Sequence, residues 1–438
     1  MFQKLFDINR SRVSVFVLYF TFLTMHLLGI AILRSNFSLA PDEQGYLYVF
    51  RNIYSRPLQG VQDDTGWDGA SDLFLWVAYL PAKILSFIGL NDLFAIRILS
   101  IGITLITVLV LVHSSERFYS PRAHLMAILL FLIPSVFVWT SLGMREAFIF
   151  FFIGLFFWSL NRITGDKSRS TAFEVSVLAI SSLGILSTKN YLWAVLMLCL
   201  FTLCLWKIIT KGIFFKKLGL IFLSIILSIS FYNLTTKSDA LDFLTSLNSS
   251  SLESVSTRLP ILNTNPALSG VEVITPSETN ENGSISSSVK VFIFKITGNK
   301  VDLKGESSVS DRKLYTDNFS AASPSEPLSF ISASLRFIVS PLVFSQNVPI
   351  FILIASVESL VWISLTLTLL MRRSHKMYIR TYSSFTEALA IIVIIMFTLM
   401  SAGVEINLGT AFRHRSILLI PMAFLLLSSG TKKAKPII

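Results

Sequence analysis

The sequence predicts an all-α integral membrane protein, a polytopic helical bundle of about ten spans with outer interfacial helices and one long extracytoplasmic loop. Of its 438 residues, 53% are hydrophobic and only 14% are charged, and the mean hydropathy is +0.67. A soluble globular chain carries roughly 25% charged residues. The apolar residues form stretches of about 20 residues, the length that crosses about 30 Å of hydrocarbon as a helix. Composition and stretch length therefore exclude an ordinary soluble domain for most of the chain.

The basic residues report the topology of the chain rather than a nucleic-acid partner. The formal net charge is +11, but the Lys and Arg residues lie in short segments between apolar stretches instead of forming one basic face. Short loops rich in Lys and Arg are retained on the cytoplasmic side. The only two cysteines, Cys199 and Cys204, lie in one apolar stretch, which indicates packing residues.

Ten spans follow when the N-terminal segment with Lys4, Arg10 and Arg12 is placed in the cytoplasm. This register collects about half of the basic residues on the cytoplasmic side and predicts that both termini lie there. The predicted spans are residues 13–33, 94–113, 123–140, 146–162, 172–187, 191–209, 216–235, 348–371, 384–401 and 411–429.

Two further apolar stretches, residues 73–90 and 330–344, contain Pro and basic residues and are predicted to be interfacial helices on the outer leaflet. Residues 236–327 are rich in Ser, Thr and Asn, which indicates a small extracytoplasmic domain or a partly disordered loop. The predicted organisation is therefore an N-terminal transmembrane module at 1–235, with a first outer loop at 34–93, this long loop at 236–327, and a C-terminal transmembrane segment at 328–438.

A pair of carboxylates, Asp42 and Glu43, follows the first predicted span. Pro41 would begin a helix at this point, and the two acids could simply cap it, because negative charge is favoured at a helix N-terminus. Their alternative role is chemical, as a general base or as ligands of an ion.

Other ionisable residues fall on the same side of the predicted membrane. Arg145 and Glu146 begin the fourth span and Lys189 begins the sixth, while Glu405, Arg413, His414 and Arg415 surround the start of the tenth. Single ionisable residues at span ends often extend to the interface. Several together favour a site inside the bundle.

Cations beside one or two carboxylates suit glycosyl transfer from a donor that carries a lipid phosphate. Arg binds phosphate oxygens in a bidentate manner, and a carboxylate can accept the proton of an attacking hydroxyl. The predicted donor is a polyprenyl-phosphate-linked sugar dissolved in the bilayer. The predicted acceptor is a glycan, a lipid or a protein.

Short motifs in the first 210 residues or so carry a family resemblance. They are the Asp42 and Glu43 pair, Leu-Asn-Asp-Leu-Phe-Ala-Ile-Arg at 90–97, Met-Arg-Glu-Ala at 144–147 and Thr-Lys-Asn at 188–190. In this order they resemble the GT-C superfamily of membrane glycosyltransferases, particularly the branch with protein O-mannosyltransferases and lipid A aminoarabinose transferases. The chain departs from that pattern at 69–72, where Gly-Ala-Ser-Asp replaces paired prolines, and at Asn190, which replaces a glycine. A second stretch, residues 407–415, resembles a segment before the last helix of membrane proteins from bacterial polysaccharide clusters.

The resemblance implies an inverting glycosyltransferase at the outer face of a bacterial inner membrane. Asp42 would be the base or a carboxylate beside a metal ion, and Glu43 and Glu146 would order the acceptor or an ion. The lipid phosphate would be held by cations, and the predicted set is Arg145, Lys189, Arg413 and Arg415. A divalent cation, Mg or Mn, is compatible with Asp42 and Glu43.

Two other functions remain open from the sequence. A polysaccharide polymerase or ligase that uses lipid-pyrophosphate glycans would also place arginines on the outer face. A transporter or flippase for a lipid-linked glycan often shows inverted repeats and interrupted helices near the bilayer midplane. The sequence has no detectable repeat, and its ionisable residues lie at span ends, which favours an enzyme.

Overall fold

A computed structural model describes residues 2–32, 41–52, 72–114, 120–165, 172–211, 215–236, 327–340, 350–379, 385–404 and 408–428. Within these ranges the chain is helical and contains no β-strand. Most of the predicted long loop at 236–327 lies outside the described residues. The described helices are α1 Phe2–Ile32, α2 Pro41–Asn52, α3 Asp72–Phe87, α4 Asp92–Ser114, α5 Pro121–Phe131, α6 Pro134–Ser141, α7 Glu146–Thr164, α8 Ala172–Thr188, α9 Asn190–Lys211, α10 Phe215–Thr236, α11 Pro327–Val339, α12 Ile350–Ile379, α13 Phe385–Val404, α14 Leu408–Ile417 and α15 Leu419–Ser428.

Six of the described helices are long and apolar enough to cross a membrane, which indicates a helical membrane protein. They are α4, α7, α9, α10, α12 and α13, and they coincide with six of the predicted spans. The predicted spans at 13–33 and 172–187 correspond to shorter apolar helical segments, Val13–Gly29 and Ala172–Thr188. The span at 411–429 is divided between α14 and α15. The total of ten therefore stays a prediction.

The predicted span at 123–140 is a pair of helices, α5 and α6, bent by 81°. Pro134 begins α6, and a proline inside a helix removes one backbone donor and clashes with the carbonyl four residues earlier. The chain therefore turns at Leu132 and Ile133 and starts a new helix. Hydropathy alone does not report such a bend.

Helix α7 lies at the centre of the bundle, where it packs against α4, α8, α13 and α15. Its buried side chains are mainly apolar, and Phe157 stacks on Phe424 of α15 with ring centroids 5.5 Å apart. Large apolar side chains such as Phe16 and Phe20 of α1 are instead exposed. Apolar surface of this kind fits a lipid environment.

A second apolar cluster packs α2 and α3 against the start of α4 and residues 142–148. Tyr46 and Phe50 of α2 are buried there, as are Tyr79 and Ala82 of α3. The opposite face of α3 exposes Ile84 and Phe87. The interfacial position of α3 and α11 relative to the bilayer stays a prediction.

Candidate functional site

Three parts of the chain meet at the start of α7. Glu146 is the first residue of α7 and Arg145 precedes it. Lys189 is the single residue between α8 and α9, and α14 carries Arg413 and His414. The structure therefore brings together four of the residues that the sequence predicted for the site: Arg145, Glu146, Lys189 and Arg413.

The connection between α8 and α9 holds Lys189 in place without a loop. The Lys189 N–H donates to the carbonyl of Ile185 at 2.8 Å, and the Lys189 carbonyl accepts from the N–H of Trp193 at 3.1 Å. The Asn190 side chain accepts from the N–H of Tyr191 at 2.8 Å. This backbone geometry fixes the base of the Lys189 side chain, which is buried.

Glu146 and Arg413 form the central contact of the site. The Arg413 Nε donates to the Glu146 Oε1 at 2.5 Å, and the exposed fractions of the two side chains are 15% and 1%. The other oxygen, Glu146 Oε2, is buried and has no hydrogen-bond partner among the described residues. Arg145 and Lys189 also lie close enough to attract the Glu146 carboxylate electrostatically. Three cations thus converge on one carboxylate.

Aromatic rings and a carbonyl position these cations. The Arg413 guanidinium lies 5.4 Å from the ring centre of Trp139, and the Lys189 Nζ lies 5.0 Å from that of Tyr191. Such cation–π contacts orient a cation without neutralising it. The Arg145 Nη1 donates to the carbonyl of Thr188 at 3.1 Å, which links the start of α7 to the end of α8.

His414 joins the same group through Tyr191. Its Nε2 lies 3.0 Å from the Tyr191 hydroxyl, and its ring is close to Lys189, Arg413 and Arg145. The sequence analysis listed His414 among the ionisable residues at the start of the tenth predicted span but left it out of the predicted site. The structure adds His414, Tyr191 and Trp139 to the residues that surround the cations.

The N-terminus of α7 points its backbone N–H groups toward this site. The residue before the helix, Arg145, makes no side-chain capping hydrogen bond. The first N–H groups of a helix have no partner within the helix, and the helix dipole adds partial positive charge at this end. A helix start of this kind favours an anion, as the surrounding cations do.

Glu43 is bound in a different network. Its two oxygens accept hydrogen bonds from the Nε and Nη2 of Arg97, each at 2.7 Å, and Oε1 also accepts from the N–H of Gly143 at 3.2 Å. Both side chains are buried. This pairing supports a structural role, since it ties α2 and α4 to the turn before Arg145. Gly143 also lies close against α4, and a Cβ at this position would overlap the Ile96 side chain.

The same contact locates the start of α2 beside the start of α7, because Gly143 is only three residues before Glu146. Asp42 directly precedes Glu43 in α2. The Asp42 side chain and Glu405 lie outside what the structure describes, so the predicted role of Asp42 as the base stays a prediction.

Arg415 lies in a third network rather than with the other cations. Its Nη1 donates to the carbonyls of Ile338 and Ser340 at 3.0 and 2.9 Å, and its Nη2 lies 3.5 Å from Glu358. Glu358 also accepts from the backbone N–H and hydroxyl of Ser135 and from the indole of Trp362. These contacts join α6, α11, α12 and α14, which supports a structural role for Arg415. Its predicted contact with the donor phosphate is not among them.

Arg97 and Glu358 were missed as partners in the sequence analysis. Both are single ionisable residues inside predicted spans, and such residues usually pair within the bundle, so a signal was present. No comparable signal marks Trp139 or Tyr191, because aromatic residues are common in apolar stretches.

The residues whose side chains the structure describes give little support for a metal ion. Both oxygens of Glu43 are bound by Arg97. No group of three or more His, Cys, Asp or Glu side chains could hold a metal within the ranges given above. The described donor set therefore fits an anion better than a divalent cation.

Comparison with known proteins adds no relative: no protein-family model, curated protein or solved structure matches this chain. The fold defines the class of the molecule as a helical membrane protein. The cationic site is the feature of the described residues that bears on its function.

Proposed function

We propose that the chain is a membrane glycosyltransferase that transfers a sugar from a polyprenyl-phosphate-linked donor to a glycan, lipid or protein acceptor, with inversion at the anomeric carbon. The observation that carries the proposal is the convergence of Arg145, Lys189 and Arg413 at the start of α7. The three cations come from separate elements, so only the folded bundle assembles them.

A phosphate group fits this arrangement chemically. Arg413 and Arg145 can each donate two hydrogen bonds to phosphate oxygens, and Lys189 adds a point charge. The negative charge on the phosphate grows as the sugar leaves, because the electron pair of the broken bond stays on its oxygen. Cations fixed at that position stabilise the transition state more than the bound donor.

The acceptor side of the reaction is assigned to Asp42. The acceptor hydroxyl oxygen forms a bond to the anomeric carbon while the bond from that carbon to the phosphate oxygen breaks. The hydroxyl proton passes to the Asp42 carboxylate as general base. Support comes from the Glu43 contact with Gly143, which places the start of α2 beside the turn that leads to Glu146.

The proposed location is the outer face of a bacterial inner membrane, with both termini in the cytoplasm. Cysteines introduced at Ser55 and Ser286 should react with an impermeant maleimide in intact cells, because both positions belong to proposed outer loops. A cysteine at Ser168 should stay unlabelled until the membrane is opened. Labelling at Ser168 in intact cells would reverse the proposed orientation.

One observation favours a second function, a transporter or flippase for a lipid-linked glycan. The 81° bend between α5 and α6 resembles the interrupted helices that build binding sites in transporters, and α6 supplies Trp139 beneath Arg413. A transporter would move the donor across the bilayer without consuming it. A polymerase or ligase would consume a pyrophosphate-linked glycan instead.

The test is transfer by the full chain in proteoliposomes that contain a labelled polyprenyl-phosphate sugar. We expect Arg413→Ala to lower donor use by about 10–150-fold, the worth of one charge-assisted hydrogen bond. The matched control is Arg162→Ala, which removes an exposed arginine at the other end of α7 and should leave transfer within about twofold. Donor that crosses the bilayer intact, or equal losses in the two variants, would contradict the proposal.

A further inference from the structure

The Glu146 carboxylate is less completely bound than a permanent buried partner should be. Three cations surround it, yet only Oε1 accepts a hydrogen bond, and Oε2 is buried with no such partner among the described residues. Glu43, by contrast, has both oxygens bound by Arg97. A buried carboxylate oxygen without a donor is unfavourable. In a pair with only a structural role, we expect a donor to Oε2 as well.

Glu146 also occupies one donor that an incoming phosphate would use. The Arg413 Nε points at Glu146 Oε1, and the Glu146 carboxylate stands at the first position of α7, where the helix dipole attracts an anion. Arg413 is the more exposed member of the pair. Arg413 is therefore the member of the pair that a ligand reaches more easily.

We infer that Glu146 is a resident counter-anion of the cationic site and determines which ligands enter it. A ligand phosphate binds by taking Arg413 away from Glu146, so a neutral or weakly charged group fails to displace the carboxylate. This inference rests on the proposed function, because it concerns the same site. In this role Glu146 competes with the donor phosphate, whereas the sequence analysis expected it to order the acceptor or an ion.

The direction of one substitution separates competition from organisation. If Glu146 competes with the ligand, Glu146→Gln removes the competing charge at nearly constant volume, and phosphate binding becomes tighter. If Glu146 instead organises the cations, the same substitution scatters them and binding becomes weaker. The two roles therefore predict opposite signs.

The experiment measures the affinity of the full chain in nanodiscs for polyprenyl phosphate without a sugar. We expect Glu146→Gln to bind about tenfold more tightly or better, since one charge-assisted hydrogen bond no longer has to be exchanged. The ligand should also raise the Tm of this variant more than that of the wild type, because stabilisation by a ligand grows with affinity. The matched control is Glu174→Gln. Glu174 is a buried glutamate of α8 that lies near Arg162, at the far end of α7 from the site. This variant should bind as the wild type does.

The remaining outcomes separate the two proposals. If the wild type binds polyprenyl phosphate and Glu146→Gln binds it more weakly, the counter-anion role of Glu146 is wrong and the proposed function is unaffected. Equal binding of polyprenyl phosphate and uncharged polyprenol by the wild type defeats the proposed function. Inorganic phosphate is a parallel arm, and equal affinity for it would identify free phosphate as the ligand. If Glu146→Gln does not fold, Glu146→Asp serves, because its shorter carboxylate releases Arg413: competition predicts tighter binding and organisation predicts weaker binding.

Discussion

Two buried glutamate–arginine pairs in this bundle differ in how completely they are bound. In the first pair Arg97 contacts both oxygens of Glu43, and the two side chains are 1% and 0% exposed. In the second, Arg413 contacts one oxygen of Glu146, and Arg413 remains 15% exposed. The first pair is closed by a backbone N–H from Gly143, whereas the second is surrounded by further cations.

The difference shows how the same two residue types serve different purposes. A buried ion pair stabilises a bundle only if its remaining hydrogen-bonding capacity is filled, as it is for Glu43 and Arg97. An incompletely bound pair near several cations keeps capacity for a ligand. The Glu358 carboxylate resembles that of Glu43, since Ser135 and Trp362 donate hydrogen bonds to it and both of its oxygens accept.

The largest effect on folding is expected for Arg97→Ala. It leaves the Glu43 carboxylate buried without its partner, and breaking a buried pair from one side costs about 3–5 kcal/mol. Thermal unfolding in detergent and the yield of folded protein would measure this loss. The double variant Glu43→Gln with Arg97→Met should recover part of it, because it removes both buried charges. A fully stable Arg97→Ala protein would place Glu43 and Arg97 in the second kind of pair.

A smaller loss of stability is expected for Glu358→Gln. The substitution removes the charge opposite Arg415 but keeps an oxygen that can accept from Ser135 and Trp362. We expect a cost of about 1–3 kcal/mol, typical of an incompletely compensated buried group, in the same unfolding assay. Affinity for polyprenyl phosphate should not change, because Arg415 belongs to a separate network. A tenfold loss of affinity with normal stability would instead connect Arg415 to the site.

Hydropathy and span counting predict much of this arrangement. Six helices coincide with predicted spans because about 20 apolar residues specify a crossing helix. Counting spans also puts Arg145, Lys189 and Arg413 at one end of the bundle. They lie at the starts of the fourth, sixth and tenth predicted spans, and even-numbered spans all begin on the same side of the membrane. The bend before Pro134 was not predicted, because hydropathy reports how apolar a stretch is and not whether its helix is straight.

Pairing was the part that sequence could not supply. Arg97 lies 54 positions from Glu43, and Arg413 lies 267 positions from Glu146. Helical periodicity relates only residues three or four positions apart, so it does not decide which arginine meets which glutamate. Packing of α2 on α4, and of α14 on α6 just before the start of α7, makes that choice.

In the proposed site, cations from separate elements share one phosphate, and a double-mutant cycle on Lys189→Ala and Arg413→Ala measures this sharing most directly. The readout is the affinity for polyprenyl phosphate in nanodiscs. We expect each single substitution to weaken binding by about 10–150-fold. The binding free energy lost by the double variant should then differ from the sum of the two single losses by about 0.5 kcal/mol or more. The control cycle pairs Lys189→Ala with Arg162→Ala and should be additive. Effects of Lys189 and Arg413 that add within about 0.3 kcal/mol would contradict a shared phosphate.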